Sequence, residues 1–289
     1  MRLIAEINHI NNLNKYNLDG IIFSYLKFST ISNTKFDFED INKIVKYCHE
    51  NNKKAILKVD KIIEENEVDE LNEFLNSVHP LNIDYYLFTD MAIMNYFLEK
   101  NENEKLIYSP KTLNCSYNDV IFYKELGVKV VLSNELPLEN IKKISTLDNV
   151  VIDCYGHSNI FYSKRKLLSL YKDFKGFSSK VTDELLFIRE ETRNNKYPIF
   201  ENENGTFIFT DYKYLFYKEI NELPASTIYK IESLFIDDNK LLDIINIYQE
   251  AINSFATDDG LSKLVEIDNN IGTSFLYKKL NILKENENE

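Results

Sequence analysis

The stretch YSPKTLNCSYNDVIFYKELGVKVVLSNELPLENIKKI (108–144) contains the repeating unit that decides the fold. It starts at the end of one apolar run, passes through an amphipathic segment ending at Gly127, and reaches a second run, VKVVLS (128–133). Glycine commonly follows the last residue of a helix, so the order is strand, helix, strand. Short, continuously apolar runs are typical of strands buried on both faces, as in a parallel sheet.

The same alternation extends through most of the chain. The predicted strands are LIAEIN (3–8), GIIFSYL (20–26), KAILKV (54–59), IDYYLFT (83–89), KLIYS (105–109), VKVVLS (128–133), NVVIDCYG (149–156) and TIYKIESLF (227–235). The predicted helices between and after them are 38–52, 68–78, 116–127, 136–145 and 238–255. Eight strands alternating with helices predict an α/β fold, a TIM-like (β/α)8 barrel that forms a single domain over residues 1–289.

One connection is too long for a simple strand-to-helix unit. Residues 157–226 follow strand seven and predict a β-rich insertion, with a helix in SKRKLLSLYKDF (163–174). Asn204-Gly205 lies between two β-like runs, which indicates a β-hairpin. The charged end of the chain, residues 284–289, is expected to fray.

Charge and cysteine content restrict the classes of partner and compartment. The formal net charge of −12 opposes a phosphate backbone over most of the surface. Binding of tRNA then requires a basic partner or a local basic patch, such as SKRK (163–166). Three separated cysteines, a first segment without secretory features, and no apolar run of about 20 residues predict a cytoplasmic protein without membrane association.

Several blocks of the sequence resemble the U32 peptidase family, the collagenase-like peptidases. Residues 108–144 are similar to the family's Thr-x-Asn turn and Ser-Arg-Glu-Leu-like motif, with Asn134 in place of the Arg. VVIDCYGHSNIFYSKRKLLS (150–169) resembles the family signature, and the positions that match are Gly156, Tyr162, Ser163, Leu168 and Ser169. The two signature cysteines are replaced by Asn159 and Lys166, and IYKIESLF (228–235) is similar to a Lys-Ile-Glu-Gly-Arg strand of the family.

The resemblance implies two kinds of activity. Family members are described as peptidases, and others act in RNA hydroxylation, including prephenate-dependent hydroxylation of the tRNA wobble uridine. Several hold an iron–sulfur cluster on four cysteines, whereas this chain has three cysteines in all and none at the signature positions. We therefore expect no iron–sulfur cluster and no metal site, with prephenate as a candidate ligand.

The main hypothesis is a role in tRNA wobble-uridine hydroxylation without a cluster of its own. The alternatives are a peptidase and a non-catalytic scaffold subunit that pairs with a cysteine-bearing homologue. The expected protein partner is a homologous subunit, in a homo- or heterodimer. Whether this chain catalyses a reaction alone stays open.

The candidate site residues lie at the predicted carboxyl ends of the strands, where barrel enzymes bind their substrates. The catalytic candidates are His157 and Glu232. The ligand-binding candidates are Glu6, Asn114, Glu135, Gly156, Asn159, Lys164, Arg165 and Lys230. An anionic ligand is expected near His157, Lys164, Arg165 and Lys230. The competing interpretation is that these are ordinary strand ends that reach solvent, with His157 lining a pocket or capping a loop.

Overall fold

Eight parallel strands close into a barrel in a computed structural model, which describes residues 1–110, 114–192 and 194–278. The first six barrel strands are β1 (Leu3–Glu6), β2 (Gly20–Ser24), β3 (Lys54–Val59), β4 (Tyr85–Phe88), β5 (Leu106–Tyr108) and β6 (Lys129–Val131). The last two are β7 (Val150–Ser163) and β11 (Ile228–Ile231). Strand β11 pairs in parallel with both β7 and β1, so the sheet has no gap and the TIM-like barrel is confirmed.

Helices cover the outside of the barrel. They are α1 (Phe38–Glu50), α2 (Val68–Val78), α3 (Met91–Glu99), α4 (Tyr117–Glu125), α5 (Leu138–Ile144), α7 (Asp238–Asn253) and α8 (Asp258–Ile267). Helix α3 was not predicted, because MAIMNYFLE is apolar on nearly every side and hides the helical period. Between β1 and β2 the chain makes only a short 3-10 turn, Ile10–Asn12. Among the residues that the structure describes, no helix is both long and apolar enough to cross a membrane.

The insertion after strand seven extends the barrel sheet with antiparallel strands. Strand β7 ends at Ser163, not at Gly156 as predicted, and pairs antiparallel with β10 (Gly205–Leu215). The sheet continues through β9 (Lys196–Asn202) to β8 (Leu186–Arg189), and β12 (Ile271–Gly272) pairs with β10. Helix α6 (Leu167–Lys175) lies between β7 and β8 in the chain, so residues 163–166 precede the helix that was predicted to include them.

The predicted hairpin is present and explains Gly205. Residues 203–204 form the turn between β9 and β10, and Gly205 has a φ of 127°. A Cβ atom there would lie 2.0 Å from the carbonyl oxygen of Ser163, so only glycine fits where β10 passes the end of β7. The predicted frayed tail, 284–289, lies outside the described residues.

The interior of the barrel is filled by one apolar side chain from each strand. This inner layer consists of Ile4, Ile22, Ile56, Leu87, Ile107, Val131, Val151 and Ile228. A larger apolar core lies between the strands and the helices. The barrel therefore has a closed floor, and a ligand can bind only above that layer, at the carboxyl ends of the strands.

Candidate functional site

A ring of polar side chains lies directly above the apolar floor. The residue two positions beyond each member of the inner layer is polar for all eight strands, five times within the strand and three times just past its end. These eight residues are Glu6, Ser24, Lys58, Thr89, Ser109, Ser133, Asp153 and Lys230. Side chains alternate between the two faces of a strand, so positions i and i+2 point the same way. We call these eight residues the polar ring.

Lys58 holds one side of the polar ring together. Its Nζ lies 2.9 Å from a carboxylate oxygen of Glu6 and 3.8 Å from one of Asp60, and it donates to the carbonyl of Ile31 at 2.7 Å. Ser24 Oγ donates to the other Glu6 oxygen at 2.5 Å. Burial alone would lower the pKa of Lys58, but the carboxylates of Asp60 and Glu6 outweigh burial and raise that pKa. Lys58 is therefore a cation at neutral pH.

Lys230, on β11, also forms buried ion pairs in the polar ring. Its Nζ lies 2.6 Å from Asp153 and 2.9 Å from Glu232. Burial opposes the charge here too, and the carboxylates of Asp153 and Glu232 outweigh burial and raise the pKa of Lys230. These two buried lysines and their four carboxylate partners together have a formal charge of −2.

Gly156 brings the end of β11 against strand β7. Its φ is 116°, and a Cβ atom at this position would lie 2.2 Å from the carbonyl oxygen of Glu232. The Glu232 amide donates to the carbonyl of Tyr155 at 2.8 Å, which fixes the approach. The two catalytic candidates, His157 and Glu232, are therefore held on neighbouring strands at the mouth.

A cavity of about 150 Å³ opens onto this part of the polar ring. Its polar lining includes Ser133, Glu135, Asp153, His157, Asn159 and Glu232. His157 Nδ1 lies 2.8 Å from the carbonyl oxygen of Thr210, which can only accept, so Nδ1 carries the proton. Burial, followed by the charge of Lys213, lowers the pKa of His157. The imidazole is therefore neutral at pH 7, and Nε2 carries a lone pair that can accept a proton.

A second cavity of about 410 Å³ adjoins the first, and both are lined by Ile31, Asn159, Ile160 and Phe209. Its other walls include Phe161, Tyr162, Phe207, Asp60 and Thr89. The rings of Tyr162 and Phe207 stack with their centroids 4.8 Å apart. This aromatic cavity has the volume and lining to hold a flat, weakly polar group next to the polar ring.

The structure brings some of the predicted site residues together and separates others. Glu6 and Lys230 belong to the polar ring, and the residues that line the smaller cavity are Glu135, His157, Asn159 and Glu232. Asn114 braces the neighbouring loop, since its Nδ2 donates to the carbonyl of Val131 at 3.0 Å. Thr112 of the same predicted turn lies outside the described residues. For all these positions, ligand binding stays a prediction.

The four residues expected around an anion do not converge. Lys164 and Arg165 are exposed on the segment that follows β7, and Lys164 pairs with Glu64 at 2.8 Å. Lys230 lies inside the polar ring with two carboxylates as partners, and of the four only His157 lines the cavity above it.

Sequence reasoning missed Asp153 and the aromatic walls. The predicted strand seven ran on to Gly156, so only residues from Gly156 onward were taken as its carboxyl end and Asp153 was left out. The spacing of two residues from Val151, repeated in every barrel strand, is the signal that could have identified it.

The cysteine positions do not fit an iron–sulfur cluster. Cys48 is buried on α1, where burial raises the pKa of its thiol to about 12. Cys154 is buried in β7, and its Sγ donates to the carbonyl of Lys230 at 3.4 Å. With Cys115 these are all the cysteines of the chain, one fewer than a four-thiolate cluster needs. Over residues 1–110, 114–192 and 194–278, no group of three or more His, Cys, Asp or Glu side chains is arranged to hold a metal ion.

Comparisons with known proteins agree with this architecture. The chain is 29% identical over 228 residues to tRNA hydroxylation protein P2 of Bacillus subtilis, covering 76% of this chain and 74% of that protein. It is 26% identical over 259 residues to the uncharacterized protease MJ0090 of Methanocaldococcus jannaschii, covering 83% of this chain and 61% of the protease.

A solved structure supports the fold. The structure of the U32 peptidase Mk0906 matches 81% of this chain and 93% of its own, with a TM-score of 0.51 at 10% identity. At that identity the likeness concerns the fold alone. The sequence profile of peptidase family U32 matches residues 5–279, and the chain therefore belongs to that family.

Proposed function

We propose that this chain acts in tRNA hydroxylation, in the cytoplasm and without an iron–sulfur cluster of its own. The observation that carries the proposal is the 29% identity to tRNA hydroxylation protein P2, which extends over 76% of the chain. The wobble uridine is the expected site of modification, as the family resemblance implies. The mouth supports the proposal because it joins an aromatic cavity to a buried polar ring.

The two cavities offer complementary chemistry to a nucleobase. The stacked Tyr162 and Phe207 can hold a flat ring, as aromatic side chains do with unpaired bases. Asn159 lines both cavities and can hydrogen-bond to the edge of such a ring. His157 is the candidate proton acceptor, and Glu232 lines the same cavity.

The negative charge of the mouth disfavours binding of prephenate by this chain without a partner subunit. Prephenate is a dicarboxylate, and the excess of carboxylates over lysines at the mouth opposes the binding of a dianion there. A homologous subunit, in a homo- or heterodimer, is the proposed source of the positive charge. Prephenate therefore enters the proposal only as a ligand of the paired assembly.

Deletion of the gene followed by nucleoside mass spectrometry of total tRNA tests the proposal. We expect hydroxylated wobble uridine to disappear and to return when the wild-type chain is expressed from a plasmid. Unchanged hydroxylation in the deletion strain, with the gene's transcript shown to be absent, would refute the proposal.

The peptidase alternative has one observation in its favour. His157 is neutral and lines the same cavity as Glu232, an arrangement that could activate a water molecule. Cleavage of members of a fluorogenic peptide library, lost on His157→Ala, would support a peptidase. Co-purification of a cysteine-bearing homologue, with no activity from this chain alone, would instead identify a scaffold subunit.

A further inference from the structure

Helix α6 exposes its apolar side chains to solvent. None of its nine residues is buried, and Leu170, Tyr171 and Phe174 are 58%, 54% and 82% exposed. Phe177, just beyond the helix, is also exposed. Helices usually form by burying an apolar stripe, so a helix that buries none requires another anchor and leaves its apolar side available to a partner.

The anchor is the buried carboxylate of Glu201 on β9. Its two oxygens accept hydrogen bonds from the backbone amides of Leu168 at 2.7 Å and Ser169 at 3.0 Å, the first turn of α6. Thr206 Oγ1 donates to the same carboxylate at 2.9 Å. These bonds satisfy the free amides of the helix start and fix which side of α6 faces the solvent.

The charge around α6 is opposite to that of the rest of the chain. Residues 164–180 contain six lysine and arginine residues against one aspartate, a net charge of +5. The chain as a whole has a formal charge of −12, so all other residues together have −17. Lys175 Nζ lies 5.9 Å from the ring centroid of Tyr171 and 5.5 Å from that of Phe174, so cations and aromatic rings share one surface.

We propose that this α6 surface, formed by Arg165, Lys166, Tyr171, Lys172, Phe174 and Lys175, binds single-stranded RNA. Cations that follow a phosphate backbone, interleaved with exposed aromatic rings on which bases stack, are what single-stranded RNA requires. The rest of the surface repels RNA, so RNA must approach where the charge is positive. The inference deepens the proposed function and rests on it, since it names the surface that presents the tRNA loop to the mouth.

The surface is continuous in sequence with the aromatic cavity. Phe161 and Tyr162 line that cavity, and α6 begins five residues after Tyr162 at the end of the same strand. A loop of RNA stacked on α6 would therefore lie beside the residues that hold the target base. A second copy of the chain is a poorer occupant, because a symmetric contact would bring two surfaces of charge +5 together.

Binding of a fluorescein-labelled RNA stem-loop to the full chain, followed by fluorescence anisotropy, tests the inference. Tyr171→Ala/Phe174→Ala should raise Kd by about tenfold or more, the loss expected when a stacked base is removed. Phe255→Ala is the matched control, since Phe255 is 69% exposed on a different part of the molecule. Lys172→Gln/Lys175→Gln should reduce the slope of log Kd against log salt by about 1.4, whereas Lys46→Gln/Lys263→Gln on α1 and α8 should reduce it far less.

Three results would overturn the inference. They are no RNA binding by the wild-type chain, equal binding by the α6 variants and the controls, or loss of self-association by the α6 variants in sedimentation velocity while RNA binding is unchanged. Failure here is distinct from failure of the proposed function. If the α6 variants restore wobble hydroxylation fully in the deletion strain and bind RNA normally, only the α6 inference fails.

Discussion

Replacing Lys230 with methionine should destabilise the protein strongly. Its side chain is 3% exposed, and its Nζ lies 2.6 Å from Asp153 and 2.9 Å from Glu232. Methionine fills much of the same space but removes the cation that lies between the two carboxylates. Removing one partner of a buried ion pair costs about 3–5 kcal/mol. Asp153 and Glu232 are 23% and 15% exposed, so water screens them partly and we expect the lower end, about 3 kcal/mol.

Urea unfolding followed by circular dichroism measures this loss. Lys263→Met is the matched control, because Lys263 pairs with Asp259 at 2.7 Å but both side chains are more than half exposed, and its loss should cost under about 1 kcal/mol. Adding Asp153→Asn and Glu232→Gln to Lys230→Met should recover most of the stability, since the repulsion between the two carboxylates is then removed as well. A cost below about 1 kcal/mol for Lys230→Met alone would show that the polar ring is not held by this ion pair.

Three further predictions concern the barrel and its mouth. Gly156→Ala should lower the free energy of unfolding in urea by about 3 kcal/mol or more, because it adds a clash with Glu232 to the strain of a positive φ. Gly176→Ala is the control, since there is open space around Gly176, and it should cost only about 1 kcal/mol. Equal costs would contradict the packing of Gly156. The pKa of His157 is lowered from 6.5 by burial, so its contribution to stability is present above pH 6.5 and is lost as the pH falls through the lowered value. In His157→Asn, the free energy of unfolding should therefore fall less steeply as the pH is lowered. An unchanged dependence of this free energy on pH would contradict the burial of His157. Ile56→Ala should cost about 2–5 kcal/mol and lower the Tm, and a smaller cost would show that the inner layer is loosely packed.

The barrel could be predicted because its strands are buried on both faces. Such strands appear as short, continuously apolar runs, and all eight predicted runs became barrel strands. Helix α3 was missed because an almost wholly apolar helix lacks the periodic stripe on which the prediction depends. The extension of β7 to Ser163 could not be inferred, because it depends on pairing with β10, about 50 residues away.

The site was predicted in part for the same reason. Glu6 was found because it lies near the end of the first apolar run, and Lys230 because it matches the Lys-Ile-Glu strand of the family. Nothing local shows that each has an oppositely charged partner on another strand. Asp153 was missed because its strand continues beyond it. The exposure of Phe174 depends on how Glu201 holds α6, which is a contact between residues more than 30 positions apart.

The most direct test of the account is the amount of hydroxylated wobble uridine in the deletion strain that expresses Glu232→Gln. This substitution keeps the shape of the side chain and leaves Lys230 paired with Asp153, so the protein should accumulate to the wild-type level. If the reaction takes place at the mouth of the barrel, hydroxylation should fall by about tenfold or more, the contribution typical of a positioned acid or base. Full hydroxylation at equal protein level would contradict the placement of the reaction at this mouth.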